Sequence, residues 1–268
     1  MSIEISKWRE APTRTNETTV FAVGDIHGCV GQLRELLVEI ANRAAQIDHS
    51  TLVFLGDQIN RGPHSLGALA EWASDEHVRH HNVVHRLFGN HEQLMMIAAG
   101  RLEGHEEALA KFIEIGGSDV IEELRSATST PDAALSENLV RKGAGDQVWE
   151  RLQKLQCHAC VGNLVFVHAG IDPAVGVSES LQADWKTFNE RHWAWIKDPF
   201  LKHREGFGGQ VIIHGHTPPW SHRESSGYSD PHIIQHDRLC LDGGTAKSGI
   251  VMGAQIEDGR YRLIASRR

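Results

Sequence analysis

The sequence predicts an α/β fold with a parallel sheet at its centre, and three observations predict it. Apolar strand-like runs alternate with stretches of helical periodicity up to Phe88, the pattern of β-α-β-α-β with right-handed crossovers. Apolar runs along the whole chain end in glycine beside a side chain able to bind a metal. One long helical stretch interrupts the alternation.

Taken in order, residues 1–17 are polar and read as a loose N-terminal arm, with residues 18–268 as a single domain. Thr18 to Val23 is a β-rich run ending in Gly24-Asp25. Leu33, Leu36, Leu37, Ile40, Ala41, Ala44 and Ile47 then recur at helical spacing, giving one apolar face. Thr51 to Leu55 is a second buried-type strand, ending in Gly56-Asp57. After Gly62-Pro63 a helix turns Leu66, Leu69, Ala70 and Ala73 inward. Val83 to Phe88 is the third strand and delivers Gly89-Asn90-His91-Glu92. Residues 92–156 read as a helical insertion packed on one edge, with a loop at 126–131. Val161 to Val167 is a strand ending in His168-Ala169-Gly170, and Val211 to Ile213 one ending in His214-Gly215-His216-Thr217-Pro218. Arg238 to Leu241 and Gly249 to Ile256 are closing strands, the latter paired with Tyr261 to Ile264 through an Asp258-Gly259 turn.

Composition narrows the function classes. A formal charge of -8 over 268 residues argues against a nucleic-acid surface. The polar start shows no secretory signal, and no apolar run approaches the roughly 20 residues of a membrane span. Four unevenly spaced cysteines do not form a disulfide framework, so the cytoplasm is the expected compartment. Cys157-His158-Ala159-Cys160 lacks a second cysteine pair for structural zinc and reads as buried or half-buried thiols. Eighteen histidines are many, and those at strand ends beside glycine are the candidates for chemistry.

The strand ends collect Asp25 with His27, Asp57, Asn90 with His91, His168, and His214 with His216. In open α/β sheets ligands bind outside the carboxyl ends of strands. One crossover helix fits between Asp25 and Asp57 and another between Asp57 and Asn90, which puts all three on the same edge. Two carboxylates, an amide and several imidazoles suit manganese, iron or zinc. So many ligands exceed one open catalytic ion, and two metals with a bridging carboxylate is the economical reading.

These motifs carry a resemblance. Gly24-Asp25-Ile26-His27-Gly28, Gly56-Asp57-Gln58-Ile59-Asn60-Arg61-Gly62, Gly89-Asn90-His91-Glu92, His168-Ala169-Gly170 and Gly215-His216-Thr217 resemble the signature of the calcineurin-like metallophosphoesterases. Within them the chain is similar to the bacterial branch of the serine/threonine phosphoprotein phosphatases. The resemblance implies a β-sandwich of two mixed sheets flanked by helices. It implies a protein phosphatase using a dinuclear-metal-activated water, manganese being the first expectation. The first metal would take Asp25, His27 and Asp57, and the second Asp57, Asn90, His168 and His216. It makes His91 the general acid and Arg61 a phosphate clamp beside Asn90, and sets His214 aside as preceding the family's ligand.

The chain departs from that pattern in two places. Asn60 stands where the family has Asp holding the general-acid histidine, and is expected to accept a hydrogen bond from His91 without adding charge. Lys197, after Trp193-Ala194-Trp195-Ile196, stands where a phosphate-binding Arg is usual, and loses the bidentate fork. Trp185, Trp193 and Trp195 read as packing residues of a rim. A dinucleoside polyphosphate (Ap4A-type) hydrolase shares most of these motifs; His27 and Glu92 favour the phosphatase over it. A non-catalytic member that binds a phospho-ligand is the third reading. The expected partner is a phosphoprotein or a phosphorylated small molecule.

Overall fold

The computed structural model describes residues 1–227 and 230–268. Its strands are β1 (Ser2–Ile5), β2 (Arg9–Glu10), β3 (Thr19–Val23), β4 (Ser50–Phe54), β5 (Val83–Arg86), β6 (His158–Val161), β7 (Leu164–Val167), β8 (Val211–His214), β9 (Arg238–Cys240), β10 (Ile250–Glu257) and β11 (Arg260–Arg267). They form two mixed sheets. The first has the order β1-β11-β10-β3-β4-β5 with β2 also on β11, and the second β6-β7-β8-β9. β3, β4 and β5 run parallel, as do β7, β8 and β9. The remaining pairs are antiparallel.

The period of two along each strand builds the layers. Val20, Ala22 and Val53 of the first sheet meet Phe166, Ile213 and Leu239 of the second in an apolar layer between the sheets. The alternate residues Phe21, Val23, Leu52 and Phe54 face outward, onto Leu33, Leu36 and Leu37 of helix Val30–Ala44 and Leu69 and Trp72 of helix Ser65–Ala73. Strands buried on both faces read as continuous apolar runs, and β4 is buried at every position. Among the described residues no helix is long and apolar enough to cross a membrane.

Two expectations are corrected here. Residues 1–17 are not a loose arm: β1 pairs with β11 from Ser2↔Arg267 to Ile5↔Ile264, and Arg9 and Glu10 pair with β11 as well. An exposed edge strand presents unpaired backbone groups, which even a polar segment can satisfy. The run Val161 to Val167 is a hairpin rather than one strand. Gly162, at φ 59°, turns the chain so that Val161 pairs with Leu164. Asn163 fastens this turn by donating from its side chain to the Pro12 and Gly209 carbonyls.

The insertion comprises helices Asn90–Ala99, His105–Phe112, Ser118–Thr128, Glu137–Ala144 and Asp146–Leu152. Phe112, Leu124, Leu139 and Leu152 join the same apolar cluster as Phe21 and Leu52. Glu123 accepts the Ser65 and Leu66 amides, both at 2.9 Å, and so fastens the start of helix Ser65–Ala73. A π-turn over Ile113–Gly117 sets Gly116, at φ 105°, against the Asn60-Arg61 backbone.

One histidine far from the strand ends makes acid stability testable. His81 is buried, 3.0 Å from the Ser50 hydroxyl, and burial followed by the His80 charge lowers its pKa to about 4. The unfolded chain therefore binds a proton below about 6.5 that the folded chain refuses until about 4, and stability falls as pH drops through that window. His81→Gln should flatten this acid limb of the unfolding curve, by up to about 3 kcal/mol at its lower end; an acid limb identical to wild type would refute the assignment.

Candidate metal centre and active site

The parallel strands of both sheets end at one edge. Val23 is paired with Phe54 and Phe54 with Arg86, while His214 is paired with Cys240, so the turns that follow converge. His168 closes the seam between sheets with Nδ1 donating to the Leu55 carbonyl at 2.9 Å. Asp25, His27, Asp57, Asn60, Asn90, His91, His168 and His216 are all buried there. His27, Asp57, Asn60, Arg61 and His216 hold left-handed backbone with φ between 44° and 68°, an uncommon state for residues with a Cβ that is concentrated at functional sites.

Asp57 lies at the centre. Its Oδ2 is 3.7 Å from His27 Nε2, 3.8 Å from His91 Nε2 and 3.3 Å from His168 Nε2. His27 Nε2 is also 3.8 Å from Asp25 Oδ2. Asn90 Oδ1 stands 3.0 Å from His168 Nε2 and 2.9 Å from His216 Nδ1. Two clusters result, His27–Asp57–His91 and Asp57–His168–His216, each with ligand atoms within 4.8 Å of one another, and Asp57 belongs to both. The six residues expected as metal ligands are thus together. His216 Nε2 is buried without a hydrogen-bond partner, and two carboxylates, an amide oxygen and imidazoles converge here, so the donor set fits divalent cations on chemical grounds.

Electrostatics points the same way. Burial, then the neighbouring Asp242, pushes the Asp25 carboxyl well above its usual range. Burial also pushes Asp57 up, but the His168 and His91 charges outweigh it and hold Asp57 well below that range. Burial works against the charged form of His168, and the Asp57 carboxylate overcomes it to raise the pKa to about 9. His27 is lowered to about 4, mainly by burial. A low-dielectric pocket with this much unneutralised carboxylate favours cations.

Two residues take roles that the motifs did not reveal. Glu92 opens helix Asn90–Ala99, as its position suggested, but its buried carboxylate also binds the preceding metal-type loop. Oε2 accepts the amides of Asp57 at 2.8 Å and Gly89 at 3.2 Å; Oε1 accepts those of Gln58 at 2.9 Å and Ile59 at 3.2 Å. Burial lifts its pKa to about 7. Asp242, expected only as part of a strand end, is buried beside Asp25 and lifted to about 6, chiefly by burial. A carboxylate following a late apolar strand was the available signal.

Asn60 differs from its expected role. It sits 2.6 Å from His91 Nδ1, but with its Nδ2, which can only donate, while Oδ1 is buried without a partner. His91 Nδ1 is therefore the acceptor, and the ring proton is on Nε2. Arg61 is exposed, with Nη1 3.3 Å from His27 Nε2. Lys197 is exposed and faces the Arg61 side of the site; partial burial and then the Arg61 charge lower its pKa. Lys197 also lines a groove of about 670 Å³ with Lys111, Phe188, Asn189 and Trp195. Trp195 is 6.3 Å from the His216 ring, centroid to centroid. Its indole N–H is fixed on Gln93 Oε1 at 2.6 Å. Trp193 is core, 1% exposed, and Trp185 stacks on Phe88 at 4.9 Å. Cys157 is half-buried and Cys160 exposed, so the expectation of burial fails for Cys160.

A sequence profile described as calcineurin-like phosphoesterase matches residues 18–246. The chain is 29% identical over 163 residues to a symmetrical bis(5'-nucleosyl)-tetraphosphatase of Ectopseudomonas mendocina, covering 61% of this chain and 48% of that protein. Proteins of the same description from Neisseria meningitidis and Pseudomonas fluorescens are each 35% identical. They match over 155 and 181 residues, covering 57% and 68% of this chain and 44% and 52% of theirs. The chain spans about half the length of these relatives. Among solved structures, a cold-active protein-tyrosine phosphatase of a psychrophilic Shewanella shares the fold with a TM-score of 0.55 and 17% identity, over 92% of this chain and 80% of that one.

The expectation of a protein serine/threonine phosphatase is overturned by the tetraphosphatase relatives. The preference for it leaned on His27 and Glu92, and neither can report substrate. His27 is fixed to the Ile59 carbonyl at 2.9 Å, and Glu92 spends its oxygens on loop amides. Glu92→Ala should lower divalent-cation affinity about 10–100-fold, measured by manganese titration; an unchanged isotherm would show that the loop orders itself without this carboxylate.

Proposed function

We propose that this chain, which belongs to the calcineurin-like phosphoesterase family, hydrolyses the central phosphoanhydride of a dinucleoside tetraphosphate, releasing two nucleoside diphosphates. The groove carries this reading. Two aromatic rings, Phe188 and Trp195, share one concavity beside His216 with Lys197; Glu107 and Glu190 also line it, and Lys111 is paired there with Glu114 at 2.8 Å. A planar base needs such aromatic faces, and Lys197 offers a cation to the polyphosphate chain. The volume is within the range of small-molecule sites. The relatives named above support the same substrate class.

In this reading Asp25, His27 and Asp57 hold one divalent cation, and Asp57, Asn90, His168 and His216 hold a second. When bound, the cations supply Lewis acidity at the phosphate and a more acidic water for in-line attack. Arg61 and Lys197 neutralise phosphate oxygens, Arg61 with a pair of donors and Lys197 as a point charge. Asn90 orients the reacting phosphate through the same side chain that positions His168 and His216.

His91 and Asn60 match the leaving group. A water oxygen bonds to phosphorus, the anhydride P–O bond breaks, and a nucleoside diphosphate leaves. The terminal phosphate of that product has a second pKa near 6, so its departure requires little protonation. A serine alkoxide, close to water's pKa of about 15.7, would require a full proton. His91 accepts the Asn60 N–H at Nδ1 and presents Nε2–H. Burial holds the ring neutral. That geometry donates a hydrogen bond to the departing oxygen without an imidazolium. Asn60 thus acts as the positioning residue for His91.

Protein loaded with manganese, given diadenosine tetraphosphate, a phosphoserine peptide and an aryl phosphate in parallel, should release ADP with kcat/KM at least about 100-fold above the peptide. Faster turnover of the peptide, or asymmetric products, would overturn the proposal. Asn60→Asp should raise alkyl phosphomonoester hydrolysis about tenfold through a stabilised imidazolium and leave the tetraphosphate rate nearly unchanged. Equal responses of the two substrates would remove Asn60 from leaving-group selection.

A further inference from the structure

Behind the two clusters lies a third group of ligating side chains that the proposed hydrolysis does not use. His214, His222 and Cys240 place two imidazole nitrogens and a sulfur within 4.8 Å of one another. Their exposures are 1%, 3% and 0%. They come from three elements: the end of β8, helix Pro219–Ser226 and the end of β9. We propose that this group is a separate cation site, of the nitrogen–sulfur class that takes zinc, and that it anchors helix Pro219–Ser226 to the back of the metal centre.

Three observations carry this. First, the ligand atoms are oriented. His214 Nδ1 donates to the Gly215 carbonyl at 3.0 Å, which fixes the tautomer and leaves Nε2 as the ligating nitrogen, the usual arrangement behind a metal-bound imidazole. The His214 and His222 rings stand 5.6 Å apart, centroid to centroid. Second, the helix docks with little apolar surface. Its sequence, Pro-Trp-Ser-His-Arg-Glu-Ser-Ser, has no apolar stripe, and Trp220 is 41% exposed. Among its described side chains only His222 is buried. A helix ordinarily docks by burying an apolar face; here an imidazole points inward, beside a Trp220 ring laid against Gly244 and Lys247 and a Ser225–Asp198 hydrogen bond. Third, Thr217 Oγ1, on the turn that follows β8, is buried without a hydrogen-bond partner, and the Thr217 carbonyl is 3.4 Å from Cys240 Sγ. The turn around the sulfur is thus incompletely satisfied by protein groups alone.

The ligand chemistry separates this site from the catalytic clusters. Two imidazoles and a thiolate favour zinc over manganese or magnesium, whereas the Asp57 clusters are rich in oxygen. Binding displaces the Cys240 thiol proton to solvent, so the site adds one unit of positive charge. His214 is two positions from His216, and Cys240 two from Asp242. An ion here would tie together two of the turns that shape the catalytic centre.

Cobalt(II) gives a direct test, since only a thiolate ligand produces sulfur-to-cobalt charge transfer and the catalytic clusters contain no cysteine. Full-length protein titrated with cobalt should develop this near-ultraviolet band. Cys240→Ser and His222→Gln should each lose it and bind one cation fewer per chain, with zinc competing the band away in wild type. Absence of the band in wild type would overturn the proposal, as would its survival in Cys240→Ser, which would assign it to Cys29, Cys157 or Cys160. If either variant failed to fold, the other variant and the wild-type band would decide. The outcome is independent of which phosphate ester or anhydride the enzyme hydrolyses.

Discussion

Burying Asp25, Asp57, Glu92 and Asp242 in one water-poor cluster is the constraint on which the rest of this structure depends. Like charges at such range raise one another's pKa unless something neutralises them. The protein answers in three ways. His168 stands against Asp57. Backbone amides surround Glu92, and the His216 amide lies 3.1 Å from both Asp25 oxygens. What remains unneutralised is a set of lone pairs facing inward, which two cations would satisfy.

Local backbone strain follows from the same demand. To aim several side chains at one point, the turns after β3, β4 and β8 adopt left-handed conformations at His27, Asp57 and His216. Strain of this kind persists only where surrounding contacts over-determine it. Glu92 does much of that by binding four amides. Gly89 is forced to be glycine, because a methyl group there would collide with the Asp57 carboxylate and amide. The insertion completes the support, packing Gly116 on the Asn60-Arg61 turn.

The residues that build the metal centre and those that would choose a substrate are different residues. Asp25, His27, Asp57, Glu92 and His168 point into the centre or brace it. Their side chains touch one another and the backbone, so they carry no information about what lies beyond the reacting phosphate. In the proposed reading selection would rest with Asn60, which sets the proton position on His91, and with Phe188, Trp195 and Lys197 around the groove.

The β-α-β-α-β alternation, the five ligand-bearing strand ends and the position of the helical insertion were legible in the sequence, because periodicity and glycine-bounded turns are local properties of the chain. The N-terminal strand escaped notice because its partner, β11, lies at the opposite end of the chain, and pairing of an edge has no local signature. Glu92 and Asp242 were present in the motifs, but their burial and partners arise only when separate turns come within hydrogen-bonding distance. The direction of the Asn60 amide is of the same kind. By itself the sequence determined which residues could ligate a metal. Tertiary structure alone decided what each faces, since a side chain's proton and charge state depend on neighbours contributed by distant segments.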